Sequence, residues 1–465
     1  MAAAGRRAEI RKAHAASSGI RRLFGIILNI ENSAALNLGT GYKLALNGGF
    51  YHDPPVKMQG FWQTWNRNGI WIQFDVTTER AYFDWNATAP LRQQARATMV
   101  TALGATGNAS SVHAEGRAAR QLVEEARERI ARLTGAEPRN VTFTSGGTEA
   151  NMLALTPAID VAGKKALRDK LFVSAVEHLS VLSGGRFGAD AVEQLPVTTN
   201  GDIDLKALRS AVARAERPLV SVMLANNETG VIQPIAAIAD VVHDANGVLH
   251  VDAVQGAGRI DCDIEKLGAD LLTLSSHKIG GPQGAGALVR RGDIHLSEPL
   301  IRGGGQERGQ RAGTENVAAI AGFGAAAEAA HAARQADSER MADLRDKLEA
   351  GLKAVTSDVI IFGANAPRLP NTTLFTVPGL RAETAIIYFD LNGIAVSSGS
   401  ACSSGKVQAS HVLAAMGVEP AAAHGAVRVS LGWATTESEV ESLLIAWNKV
   451  VSSLLRGRDN RGIAA

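Results

Sequence analysis

Two residues that can do chemistry, Asp252 and Lys278, follow neighbouring apolar runs. The first run ends His250-Val251-Asp252-Ala253-Val254-Gln255. The second, Leu271-Leu272-Thr273-Leu274, leads into Ser275-Ser276-His277-Lys278 and a glycine-rich turn over residues 279–286. Short apolar runs of this kind suit buried strands, and in α/β sheets ligands bind beyond the carboxyl ends of strands. An amine held there beside small donors suits a Schiff base and a phosphate. A carboxylate from the neighbouring strand suits a pyridinium nitrogen. Taken singly, each is more simply a surface lysine or a strand-end aspartate. In this order and spacing, the pair points to pyridoxal 5'-phosphate.

The elements around them follow one pattern. Residues 141–145 form a β-rich run, and Gly146-Gly147-Thr148 then opens a helix over 149–155. Glycines and a hydroxyl at a helix start direct N–H groups and the helix dipole at an anion, so Gly147 and Thr148 form a phosphate cradle. A strand over 171–174 precedes Glu177-His178, and one over 219–224 precedes Asn226-Asn227. Helices are expected over 90–103 (with Pro90 at the first position), to about 133 (stopped by Gly135), and over 204–212 and 235–244. Repeated strand–helix units predict an α/β protein with a mostly parallel, doubly wound sheet. His178, Asn227, Asp252 and residues 275–278 should then meet at one sheet edge. After Thr314 an alanine-rich helical stretch runs to about 355, with a break near Ala336-Asp337-Ser338. It should bridge to a smaller α+β domain with strands near 359–362 and 372–377, a helix over 382–391 and a last helix over 436–455. The expected division is an extension over 1–80, a large domain over 81–330 and a small C-terminal domain over 331–465.

The totals fit a soluble globular chain of 465 residues, 46% hydrophobic and 20% charged. A net charge of +2 recommends no nucleic-acid or membrane partner. The two cysteines, Cys262 and Cys402, form no disulfide framework, which suits a reducing cytoplasm. Cys262 reads as packing beside a strand or turn. Cys402 lies in residues 396–405, a small, polar, glycine-rich segment expected to be a mobile loop. An exposed thiol there is unusual, since free cysteines are mostly buried; a reactive role and an incidental one both fit this loop by itself. Residues 1–75 stand apart, with a basic, acid-poor start, a short apolar run over 24–30 and Trp62, Trp65 and Trp71 without strand or helix period. They read as a poorly ordered extension, or as residues upstream of a translation start near Val76.

From about residue 81 to 450 the chain resembles the pyridoxal-phosphate-dependent cysteine desulfurases of the class V aminotransferase group. The resemblance rests on Phe83-Asp84-Trp85-Asn86-Ala87-Thr88, Ser145-Gly146-Gly147-Thr148-Glu149, Glu177-His178, Asn226-Asn227-Glu228-Thr229-Gly230, the two stretches around Asp252 and Lys278, and Gly303-Gly304-Gly305-Gln306-Glu307-Arg308-Gly309-Gln310-Arg311-Ala312-Gly313-Thr314. Ser398-Gly399-Ser400-Ala401-Cys402 looks like the long-loop subgroup that supplies iron–sulfur assembly. Ser403 stands where threonine is common and Gln306 where histidine is common.

The resemblance implies a transferase of fold type I. It makes Lys278 the Schiff-base lysine, Asp252 the partner of the pyridine nitrogen and Gln255 that of the ring hydroxyl. His178 would stack on the ring and move protons. Thr148 with Gly147, Ser275 and His277 would hold the phosphate, and Thr314 would reach the phosphate of the other subunit, giving a homodimer with composite sites. Asn227 and Arg428 would hold substrate, and Cys402 would carry a persulfide. The implied reaction takes L-cysteine to L-alanine and passes sulfur to an iron–sulfur scaffold or other acceptor protein. No metal is expected. Selenocysteine lyase, another class V reaction and a catalytically silent scaffold subunit are the alternatives.

Overall fold

The structure, a computed structural model, describes residues 61–65, 71–75, 80–399 and 410–455. The chain divides into Met1–Glu79 and Arg80–Ala465. In the first unit Phe61–Trp65 pairs antiparallel with Trp71–Asp75, Trp65 opposite Trp71. The sequence reading found no strand period here and is corrected: both runs are rich in β-favouring Trp, Phe, Thr and Ile, and Asn68-Gly69 between them is a hairpin signal. The remainder of residues 1–79 lies outside the described residues.

The second unit is built on a seven-stranded sheet, in spatial order Val141–Thr144, Gly286–Arg290, Leu271–Ser275, Val248–Asp252, Pro218–Met223, Lys170–Ser174 and Val192–Leu195. Neighbours from Leu271–Ser275 onward pair parallel, and Gly286–Arg290 runs antiparallel to both its neighbours. This is the expected mostly parallel α/β sheet. The antiparallel member was hidden because a glycine-rich turn leads into it. Gly286 is required there: a Cβ would sit 2.5 Å from the Gly146 carbonyl carbon. That close approach lets the strand pass beneath the Gly146-Gly147 turn.

Helices Ile235–Asp244 and Ala382–Leu391 keep their expected bounds. Ala114–Thr134 is stopped by Gly135 in the left-handed region (φ 66°). The first helix is shorter than expected, Gln93–Leu103. Residues ahead of it stay extended because they are stitched to the lysine turn: Ala89 N–H donates to the His277 carbonyl at 2.9 Å and Arg92 N–H to that of Gly280 at 2.8 Å.

The expected break near 336–338 is absent, and Val317–Val355 is one helix of 39 residues. Asp337 and Ser338 are accommodated by partners outside the helix: Asp337 lies 3.7 Å from Arg92, and the Ser338 hydroxyl donates to the Arg259 carbonyl. The helix supplies Phe323, Ala326 and Ala330 to the core around the large sheet, and Leu344, Leu348 and Leu352 to a second core. That second core also holds Phe375, Phe389 and Trp447 and lies against a four-stranded antiparallel sheet, Ile360–Ile361, Thr372–Thr376, Val427–Ser430 and Ser397–Ser398. The last helix is Glu437–Val450, capped by Thr436 and Glu439 in a reciprocal capping box. Among the described residues no helix is long and apolar enough to cross a membrane.

Of the loop expected over 396–405, the described part is not all loop. Ser397–Ser398 is a buried strand paired with Val427 and Arg428. Serine can be buried there because the ladder satisfies its backbone. Cys402 and residues 400–409 lie outside the described residues.

Candidate active site

A cavity of about 720 Å³ opens at the carboxyl edge of the large sheet. It is lined by Gly147, Thr148, His178, Asn227, Asp252, Gln255, Ser275, His277, Lys278 and Arg428, together with Asn86, Thr88, Asn151 and Ser180. The parallel strands explain the convergence. Asp252 ends one strand, and Ser275 ends the neighbouring strand at the turn that carries His277 and Lys278.

Lys278 Nζ donates to the carbonyls of Asn86 at 2.5 Å and Ala87 at 2.8 Å. Asp252 is buried. It accepts the Val254 N–H at 3.0 Å on one oxygen and the Asn151 amide at 2.8 Å on the other. Its two oxygens thus face donors on both sides, and the carboxyl group lines the cavity where a ring nitrogen could meet it. Beneath it, fully buried Glu177 accepts the Met223 N–H at 2.6 Å, and burial, then the Asp252 charge, raises its carboxyl well above the usual range.

His178 caps the helix Leu179–Leu182, and its Nδ1 accepts the Ser180 N–H at 3.2 Å. Burial lowers its pKa first; Lys278 and His411 lower it further while Asp252 opposes them. His277, with Nδ1 3.2 Å from the Thr88 hydroxyl, is pushed down to about 4 by burial and then by Lys278. Both rings are therefore neutral near pH 7, as hydrogen-bond donors or proton carriers rather than fixed cations.

Gln255 donates to the Asn86 carbonyl at 3.0 Å and accepts from Arg259 at 2.8 Å. Arg428, on Val427–Ser430, reaches the cavity from the small sheet. It donates to Asp84 at 2.7 Å and to the Asn227 carbonyl at 3.0 Å, and its buried Nε has no hydrogen-bond partner among the described residues. Thr314 is exposed and outside the cavity lining of its own chain. Three residues before it, Arg311 donates to Glu149 at 2.9 Å, tying that segment to the helix Gly147–Ala154. Cys262 is buried, pushed up to about 12 by burial, and donates weakly to the Leu133 carbonyl, in keeping with packing.

The residues fit pyridoxal 5'-phosphate. At one end the first-turn N–H groups of Gly147–Ala154, with Thr148 and Ser275, offer donors to an anion. At the other, Asp252 offers a buried carboxylate oxygen as acceptor, and Lys278 lines the same space. Reading the sequence assigned no role to Asn151 or Ser180, and named Glu177 only as the neighbour of His178. Asn151 sits on the buried side of a short helix, and only the register of that helix under Asp252 reveals its use.

Comparisons with known proteins agree in extent. The class-V aminotransferase family model matches residues 81–443. The chain is 40% identical over 383 residues to the cysteine desulfurase IscS of Dictyoglomus turgidum, covering 80% of this chain and 95% of that one. It is 41% identical over 373 residues to the IscS-like cysteine desulfurase of Mycobacterium tuberculosis, covering 78% and 94%. Among solved structures, a NifS-like protein from Rickettsia africae superposes with a TM-score of 0.73 at 36% identity, over 80% of this chain and all (100%) of that one. SspA in complex with cysteine superposes with a TM-score of 0.62 at 28% identity, over 77% and 100%.

Proposed function

The chain belongs to the class-V aminotransferase family and, within it, to the cysteine desulfurases, and from that premise we propose how its residues divide the work and where the sulfur goes. The enzyme depends on pyridoxal 5'-phosphate and acts on L-cysteine. When bound, the cofactor supplies an aldehyde for amines and a protonated ring that accepts electron pairs released at substrate carbon.

Asp252 keeps that ring protonated, with Gln255 beside it. Gly147, Thr148, Ser275 and His277 hold the phosphate, and Thr314 serves the phosphate in the partner subunit of a homodimer. Arg428 and Asn227 receive the substrate carboxylate; the guanidinium, fixed by Asp84, presents a planar cationic fork. Lys278 Nζ takes the proton from substrate Cα and returns it. Neutral His178 supports proton transfer at the sulfur. Cys402, as thiolate, attacks the substrate sulfur; a sulfur–sulfur bond forms as the carbon–sulfur bond breaks, and protonation of the carbon gives L-alanine. The persulfide then passes to an acceptor protein, which we take to be an iron–sulfur assembly scaffold, in the cytoplasm. Residues 81–330 would hold the cofactor, and 331–465 would carry the sulfur-handling segment.

What supports this division is one cavity shared by Lys278, Asp252, His178 and Arg428. Incubating the loaded enzyme with L-cysteine and no keto acid tests it. With a dithiol added to reduce the persulfide, alanine and sulfide should appear together in equal amounts. Turnover only when a keto acid is added would mean transamination instead.

A further inference from the structure

The groups that hold His178 connect it to Asp252. Asn151, 1% exposed, donates one amide hydrogen to the Asp252 carboxylate at 2.8 Å and the other to the Ser180 hydroxyl oxygen at 2.9 Å. The amide orientation follows from chemistry, since turning its oxygen toward a carboxylate would set two acceptors face to face. With its oxygen accepting from Asn151, the Ser180 hydroxyl has its hydrogen free for His178 Nδ1, which lies 2.8 Å away. The Ser180 backbone N–H also points at Nδ1, at 3.2 Å. Two donors converge on one ring nitrogen, so that nitrogen carries the lone pair.

We propose that Asn151 and Ser180 are positioning residues which hold His178 as the Nε2–H tautomer and tie its ring to the carboxylate that faces the cofactor. This rests on the desulfurase reading above and deepens it. It assigns what His178 offers: an N–H at Nε2 rather than a basic lone pair. It also explains why an asparagine is buried in the cavity wall with its Oδ1 unpartnered among the described residues. The arrangement spends the amide's donors on the relay and leaves its acceptor idle. The charged and titratable groups acting on the ring are Asp252 on the adjacent strand, Lys278 on the lysine turn and His411 on the helix His411–Ala415. None of them reaches Nδ1 in the place of Ser180.

The test is nitrogen NMR of histidine-labelled full-length protein, with and without cofactor, His178 being assigned by its loss in His178→Gln. The wild type should show a neutral ring protonated at Nε2 in both states. An Nδ1–H signal would overturn the relay, whatever the enzyme's activity. Ser180→Ala should turn the single tautomer into a mixture and move the pH profile of kcat/KM, and Ser180→Thr should restore both. Asn151→Leu should give the same mixture by releasing the Ser180 hydroxyl. An unchanged single tautomer in both Ser180→Ala and Asn151→Leu would also overturn the proposal. Alanine release by the wild type separately reports on the desulfurase reading, so the two can fail independently.

Discussion

Arg428 is the residue whose role geometry constrains most. It comes from the small sheet, is held by Asp84 and the Asn227 carbonyl, and keeps a buried Nε for which the described residues supply no acceptor. A substrate carboxylate entering the cavity that Arg428 lines would meet a guanidinium already oriented by Asp84. Arg428→Lys keeps the charge and loses the planar fork. A charge-assisted hydrogen bond is worth about 1.5–3 kcal/mol. Steady-state kinetics should therefore show KM for L-cysteine up by ~10-fold or more, with kcat changed less; an unchanged KM would remove Arg428 from the substrate site. Lys278 permits a cruder test. Lys278→Ala should bind no cofactor covalently, so after borohydride reduction and denaturation the wild type retains the pyridoxyl group and the variant loses it. Retention in the variant would move the imine to another amine.

At the scale of elements, the strands carry the site and their own polar links hold them in step. His250, on Val248–Asp252, lies 2.8 Å from the Ser221 hydroxyl on one neighbouring strand and 2.9 Å from the Thr273 hydroxyl on the other. Burial pushes its pKa down to about 3, so the folded ring stays neutral. The unfolded chain binds a proton near pH 6.5 that the folded chain refuses. The stability this residue contributes is thus present above pH 6.5 and lost as pH falls from there toward 3. Urea unfolding measured between pH 7 and 4 should show His250→Gln with a shallower acid loss than wild type, by up to about one proton in slope; identical slopes would refute the assignment. Sequence periodicity made the strand and helix cores legible, because Val248–Asp252 and Ile235–Asp244 are apolar runs bounded by polar residues or glycine. It failed where tertiary partners decide. Asp337 and Ser338 look like a helix break until Arg92 and the Arg259 carbonyl are set against them. Ser397–Ser398 looks like loop until Val427 and Arg428 pair with it. Most of the cavity wall was legible because His178, Asn227, Asp252 and residues 275–278 each end or follow a strand. Asn151 and Ser180 were not, because their use depends on two short helices lying side by side.

On the scale of the whole molecule, the claim is that two chains share each site and that sulfur leaves on Cys402. Thr314 is exposed on a segment that Arg311 fixes to Glu149, as a residue meant for another subunit would be. Mixing Lys278→Ala with Thr314→Ala and allowing subunits to exchange should rebuild one intact site per mixed dimer, recovering up to about a quarter of wild-type activity. No recovery despite proven exchange would place Thr314 in its own chain's site. The most direct measurement is the mass of the Cys402 peptide after a single turnover of the loaded enzyme with sulfur-labelled L-cysteine. The account predicts one labelled sulfur on Cys402, matched by one L-alanine and reversed by reductant, with Cys262 unmodified. Alanine released while Cys402 stays unlabelled would contradict it.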